Sequence, residues 1–161
     1  MTNRINHVYI FLLFLILASR FLPHPPNFTP VLAIFSLGGH YTLLPALLTY
    51  MFTDAFLGWH NSMIWVYASL FIIAHLQKGP ILSSLLFFTI TNFGVWTSGW
   101  YGYSIEGLLA CYLAAIPFFV NTLTSTVIFH IILKHAIEKY TDQTDGNFIT
   151  NYIYFFRQGR A

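Results

Sequence analysis

The chain has 161 residues, of which 57% are hydrophobic and only 7% charged, with a formal net charge of +2. A soluble domain carries about a quarter charged residues, so this composition reads as an integral membrane protein. At about 20 apolar residues per helical span it has room for five or six crossings and none for a separate soluble domain. The small positive balance, with basic residues near ends and loops, argues against nucleic acid as a partner, and the single cysteine, Cys111, excludes an internal disulfide or a multi-cysteine metal centre.

Residues 6–22 form the first apolar run, preceded by Arg4. Ala18-Ser19-Arg20 offers no small-x-small cleavage site, so the run reads as a retained first helix and not as a signal peptide. Pro23, Pro25 and Pro26 then stop it; prolines at this density cannot continue a helix and hold the backbone extended, which predicts a stiff connector from Arg20 to Asn27. Phe28 to Leu37 is apolar for only about ten residues, too few for an ordinary span. Closed by Gly38-Gly39-His40, it reads as a short tilted helix or a re-entrant piece buried in protein. Helices are predicted over 41–57 and 63–76, with Gly58 to Ser62 as the turn between them, and another begins at Pro80, a residue suited to a first helical position.

Thr91 to Cys111 is the one place where the apolar chain turns polar and aromatic together, and it predicts a hairpin between two membrane helices. Its Trp96, Trp100, Tyr101 and Tyr103 suit the aromatic belt at a water interface. Alternatively Asn92 and Trp96, four apart on one helical face, begin a ligand pocket. The last helix, from about Glu106 to Lys134, is longer than a bilayer requires and contains Pro117, which predicts a kink or tilt. Beyond it, Glu138 to Asn147 reads as a solvated linker. Phe148, Ile149, Tyr152, Ile153 and Phe156 then recur at helical spacing before Arg157 and Arg160, a pattern for an amphipathic helix on the cytoplasmic leaflet.

The predicted organisation is therefore all-α: a polytopic bundle of six transmembrane helices, the second short, over residues 1–135, and a cytoplasmic linker and interfacial tail over 136–161. With six crossings Arg4, Lys78, Lys134, Lys139, Arg157 and Arg160 share one side and Arg20 stands opposite, which the positive-inside rule favours with both termini cytoplasmic. The expected location is a bacterial inner membrane.

Polar residues then sort by depth. Asp54, Asn92, Glu106 and Cys111 lie near the external ends of their helices, and Arg20, His24, Asn27, Trp59, His60, Trp100 and Tyr101 lie in external connections. An ionised residue at mid-helix costs about 2.5–3.5 kcal/mol on insertion scales, so Asp54 must face protein or water. Arg20 is its natural partner, as a structural ion pair or as a shared ligand contact. Asn121, beside Pro117, reads as interhelical hydrogen-bonding glue. His130 and His135 are five apart and off a shared face, without zinc-type spacing, so the seven histidines predict interfacial polar residues and no cofactor. Cys111 suits a small packing position; as a ligand or nucleophile it lacks an adjacent base in sequence.

The segments RFLPHPPNFTP (20–30), FFTITNFGVW (87–96) and GLLACYLAAIPFFVNTL (107–123) resemble the signature segments of a small bacterial membrane-protein family catalogued only as a domain of unknown function, over about residues 18–133. In segment layout the chain is also similar to the S-components of energy-coupling-factor vitamin transporters. That resemblance implies a six-helix bundle with an external vitamin pocket beneath the first connection, although the A-x-x-x-A pattern that docks a coupling subunit is absent from the first helix.

Together these features predict a substrate-binding or transport subunit for a small, aromatic or vitamin-like metabolite. Its external pocket would be lined by Asn92, Trp96, Trp100, Tyr101 and Asp54, flanked by Glu106 and Cys111, and lidded by the connector carrying Arg20, His24 and Asn27. The expected partners are the lipid bilayer, the ligand and a separate ATPase or coupling module, since the chain has no ATP site. A structural or assembly subunit without a ligand is the alternative. No catalytic fingerprint is present, and an enzyme using Asp54, Glu106, His24 or Cys111 ranks last.

Overall fold

Proline, glycine and one serine set where the helices of this chain begin and end. The computed structural model describes residues 2–142, with side chains at 10–38 and 43–139. Its described part is helical throughout, with no strand: α1 (Thr2–Phe21), α2 (Val31–Leu57), α3 (Met63–Leu76), α4 (Pro80–Thr97), α5 (Ile105–Ala114) and α6 (Ile116–Asp142). The amphipathic tail expected over 148–156, and most of the linker before it, lie outside the described residues. α3 closes at Gln77 in the left-handed region (φ 46°), and α4 opens after Gly79 (φ 87°) with Pro80 in its first turn, where a missing N–H is harmless. Ser104 caps α5 by accepting a 3.1 Å hydrogen bond from the Gly107 N–H.

Two boundaries differ from the sequence expectation. The last helix does not run unbroken from Glu106 to Lys134 but is interrupted at Ala115. Pro117 has no N–H for the Leu113 carbonyl and its ring crowds that carbonyl, so the anticipated kink becomes a break between α5 and α6. The segments 28–37 and 41–57, expected as separate helices, form one continuous helical run, α2. That run is not straight. Leu32 and Tyr50 line the same cavity, whereas an unbent helix would hold them roughly 27 Å apart. α2 therefore doubles back, and Gly38-Gly39, which tolerate conformations closed to other residues, lie between its two legs.

The first leg is enclosed by protein. Val31, Leu32, Ala33, Ile34 and Phe35 are all buried, so every face of the helix is covered there. Around it pack Leu12 and Ile16 of α1, Leu43 and Ala46 of the second leg, Leu70 and Ile73 of α3 and Leu133 of α6. The short apolar segment is thus buried in protein, as a non-spanning or tilted segment both require.

The exterior is apolar. Phe14, Leu48, Phe56, Ile64, Ile81, Leu113 and Ile132 are among many large hydrophobic side chains facing outward. Two helices, not six, are long and apolar enough to cross a membrane by length and composition: Pro80–Thr97 and Ile116–Lys139. Only 17% and 22% of their apolar windows are buried in the protein, so neither is the enclosed core helix of a water-soluble fold. The runs Ile10–Phe21, Leu43–Leu57, Met63–Leu76 and Ile105–Ala114 are apolar but shorter.

α3 and α4 approach closely at Gly94, where a Cβ would overlap Trp65. Gly94→Ala should therefore overpack this seam and destabilise the protein by about 1–3 kcal/mol, read as a lower unfolding temperature in detergent. Adding Trp65→Gly, which removes both the ring and the Trp65 Cβ 2.7 Å from the new methyl, should recover part of the Gly94→Ala loss; strictly additive losses would show that Trp65 is not what the methyl meets.

Candidate functional site

Arg20 ends α1, and its guanidinium is the hub of a polar cluster built from three helices. Its Nη2 is ion-paired with Asp54 Oδ1, its Nε donates to Thr53 Oγ1 at 3.2 Å and its Nη1 to the Tyr50 hydroxyl at 3.1 Å. The guanidinium carbon also stands 4.4 Å from the centre of the Tyr50 ring, within cation–π range. From α3, the Tyr67 hydroxyl donates to the other Asp54 oxygen at 2.5 Å. Asp54 is 2% exposed and both its oxygens are engaged, as a buried carboxylate requires. Tyr50, Thr53 and Asp54 share one face of α2, at spacings of three and four. The pairing of Arg20 with Asp54 expected from sequence is present.

Beside this cluster lies a cavity of about 210 Å³, lined by Ser19 and Arg20 of α1, the connector residues His24, Asn27 and Thr29, Val31, Leu32 and Tyr50 of α2, Phe87 of α4 and Thr122 of α6. The connector above it is not extended throughout. Phe28 N–H donates to the Pro25 carbonyl at 3.0 Å, and Asn27 has φ 63°, the pattern of a tight turn with proline second and asparagine third. α6 holds this turn with residues one turn apart: Asn121 Nδ2 donates to the Pro26 carbonyl at 3.1 Å, Ser125 Oγ to the Asn27 carbonyl at 3.3 Å, and Phe129 meets Phe28 edge-on at 6.0 Å. Asn121 thus ties a helix to the connector and not to a second helix. His24 holds the other side, its ring nitrogens 2.8 Å from the Pro25 carbonyl and 2.7 Å from the Ser19 carbonyl.

The remaining expected site residues gather elsewhere. Asn92 Nδ2 donates to the Phe88 carbonyl of its own helix at 2.7 Å, and the Asn92 carbonyl accepts from buried Cys111 Sγ at 3.4 Å. The Tyr112 hydroxyl donates to the Thr89 carbonyl at 2.6 Å, so these groups form the α4–α5 seam. Trp96 packs against Phe93 and Tyr103. Trp100 is 87% exposed, and Tyr101 and Glu106 are exposed as well. None of Asn92, Trp96, Trp100, Tyr101, Glu106 and Cys111 lines this cavity. Asn92 lies five residues beyond cavity-lining Phe87, about 140° round the helix, so it faces a different neighbour. Asp54 stands behind Arg20 and is not itself part of the cavity wall.

One family, described as a family of unknown function (DUF6580), matches residues 1–145. The chain belongs to DUF6580. No curated protein matches it, and no solved structure does. In this DUF6580 chain, no three His, Cys, Asp or Glu side chains among the described residues come together as a metal centre; His130 Nδ1 instead lies 3.1 Å from Ser36 Oγ. Sequence reasoning missed Tyr50, Thr53, Tyr67, Thr29 and Thr122. Two of them carried a usable signal: Tyr50 precedes Asp54 by one helical turn, and a tyrosine within an apolar helix, such as Tyr67, needs a partner for its hydroxyl.

Removing one member of the buried pair in DUF6580 leaves the other uncompensated, so Asp54→Ala should cost about 3 kcal/mol or more. Replacing both, as Arg20→Met with Asp54→Leu, should recover much of that loss, because apolar replacement of a whole buried pair is often close to neutral. Chemical unfolding of the two single variants and the double variant tests this; a double variant as unstable as the sum of the singles would show that the two charges do not interact.

Proposed function

We propose that this chain is a membrane-embedded subunit that binds a small molecule in the cavity beneath the Arg20–Asn27 connector. One observation carries the reading: a polar cavity with a charged guanidinium in its wall, inside a protein whose outer surface is apolar. Pockets with a few placed polar groups are the usual form of ligand sites. The volume of about 210 Å³ lies below the roughly 300–1,000 Å³ typical of drug-sized ligands, and the tryptophans expected as walls are elsewhere. The ligand is therefore a small polar metabolite and not a broad planar one.

The outward-facing α4 and α6 support a membrane setting. Within it α1, the two legs of α2, α3, α4 and the α5–α6 pair give six passages, the short first leg of α2 crossing inside the protein. Because α2 doubles back, the start of α1 and the end of α6 fall on one side, with Lys78, Lys134 and Lys139, and the cavity opens on the side of Arg20. The positive-inside rule makes the lysine side cytoplasmic. α3, at 14 residues, covers roughly 21 Å and relies on flanking turns or local bilayer thinning. Uptake against a gradient would need a separate ATPase. A second reading, an assembly subunit, is favoured by exposed Trp59, Trp100 and Tyr103, which would meet a protein partner.

Two measurements test the proposal. Thermal unfolding of the purified full-length chain against small anionic, neutral and cationic metabolites should give a saturable rise for at least one compound, by about 2.7 kcal/mol at a hundredfold excess over Kd. Ser19→Leu, which fills the cavity, should abolish it; silence across the whole panel would sink the binding reading. In a Cys111→Ser background, cysteines at Lys78 and Lys139 should label from one face of the membrane and a cysteine at Trp100 from the other.

A further inference from the structure

The charge around the cavity is one-sided. Asp54 balances Arg20 from behind, with both carboxylate oxygens occupied by Arg20 and Tyr67, and it is absent from the lining. The cavity therefore meets the cation and not its counter-ion. A guanidinium has five N–H groups; Thr53, Tyr50 and Asp54 take three, which leaves two with no partner among the described residues. His24 supplies no acceptor of its own to the cavity: its two ring nitrogens both face carbonyl oxygens. No acidic side chain lines the cavity. Ser19 and Thr122 spend their hydroxyl protons on carbonyls of their own helices at 2.8 Å each; of the donors left in the lining, Arg20, Tyr50, Asn27 and Thr29, only Arg20 carries a charge. The apolar part of the wall is formed by Val31, Leu32 and Phe87.

We propose that the cavity takes a small monoanion, with its negative head on the unspent N–H groups of Arg20 and a short apolar tail against Val31, Leu32 and Phe87. This rests on the reading of the cavity as the binding site. A short-chain monocarboxylate has that chemistry, because a planar carboxylate matches the guanidinium fork. The same head-group chemistry is offered by an anionic phospholipid.

The test uses the full-length chain in phosphatidylcholine nanodiscs, with sodium propionate as probe, propionamide as its neutral isostere and propylamine as its cationic counterpart. Propionate should bind saturably and raise the unfolding temperature, and propionamide and propylamine should bind at least about tenfold more weakly. Ser19→Leu leaves the backbone carbonyl that meets His24 and the Arg20–Asp54 pair intact, and should abolish propionate binding. Arg20→Lys, which keeps the charge but loses the planar fork, should weaken propionate severalfold; Ser19→Leu keeps the test valid if Arg20→Lys does not fold. A second set of nanodiscs containing phosphatidylglycerol separates the sources. Stabilisation by propionate in neutral lipid assigns a free carboxylate, whereas stabilisation by phosphatidylglycerol alone, lost in Ser19→Leu, assigns a lipid headgroup. Propionamide or propylamine binding as tightly as propionate, and still blocked by Ser19→Leu, would overturn the anion and leave the binding site standing. If neither anion binds and no compound of the wider panel does, both readings fall.

Discussion

The Arg20–Asp54 pair is the constraint on which the rest of this fold turns. A carboxylate 2% exposed in an apolar bundle is costly by several kcal/mol if left alone, so the chain must bring a cation to it. Arg20 can serve only if the end of α1 meets the end of α2, yet Arg20 is also joined to the start of α2 by the nine residues 22–30. A reversed α2 meets both conditions with the connector folded into its turn. A straight α2 would carry Asp54 roughly 36 Å from Pro30 and demand an almost fully extended connector to bring Arg20 to it. The doubled-back helix, the enclosed first leg and the cavity between the legs all belong to the arrangement that satisfies this one carboxylate.

A second regularity separates site from scaffold. Buried hydroxyls are numerous, but nearly all return to their own helix: Ser69 to Val66, Ser83 to Gly79, Ser84 to Pro80, Thr126 to Thr122. Such back-bonding satisfies the group locally and lets small polar residues sit where helices press together. Asn92 belongs with them. The groups that matter for the cavity reach off their own element: Arg20 to α2, Tyr67 to α2, Asn121 and Ser125 to the connector.

That distinction explains how much could be read before the coordinates. Helix ends at Leu57, Leu76 and Pro80 were legible because proline and glycine act locally. The partner of Asp54 was legible because the cost of a lone charge is local too, and only one cation lay on its side. The continuity of α2 was not, since Gly38-Gly39 marks a bend and a break alike. Nor was the role of Asn92 and Trp96: they do share a helical face, but which neighbour that face meets depends on the rotation of α4, and Phe87 takes the cavity side. The single family match, to a family of unknown function, adds kinship without assigning a role to any of these residues.

The connector is also the least costly part of the cavity wall to move. Displacing a helix would break the packed core around Ile34 and Phe35 and expose Asp54. Lifting the turn at Pro25 to Phe28 breaks the hydrogen bonds from Asn121 and Ser125 and one ring contact with Phe129. Hydrogen bonds of this kind are worth about 0.5–1.5 kcal/mol each and an edge-on aromatic pair about 0.5–1.5 kcal/mol, so the total is a few kcal/mol. The prolines on either side keep such a movement stiff, and the His24 contacts to Ser19 and Pro25 anchor its near end. The connector is thus the weakly attached part of the cavity wall, while the Arg20–Asp54 pair remains held by three helices.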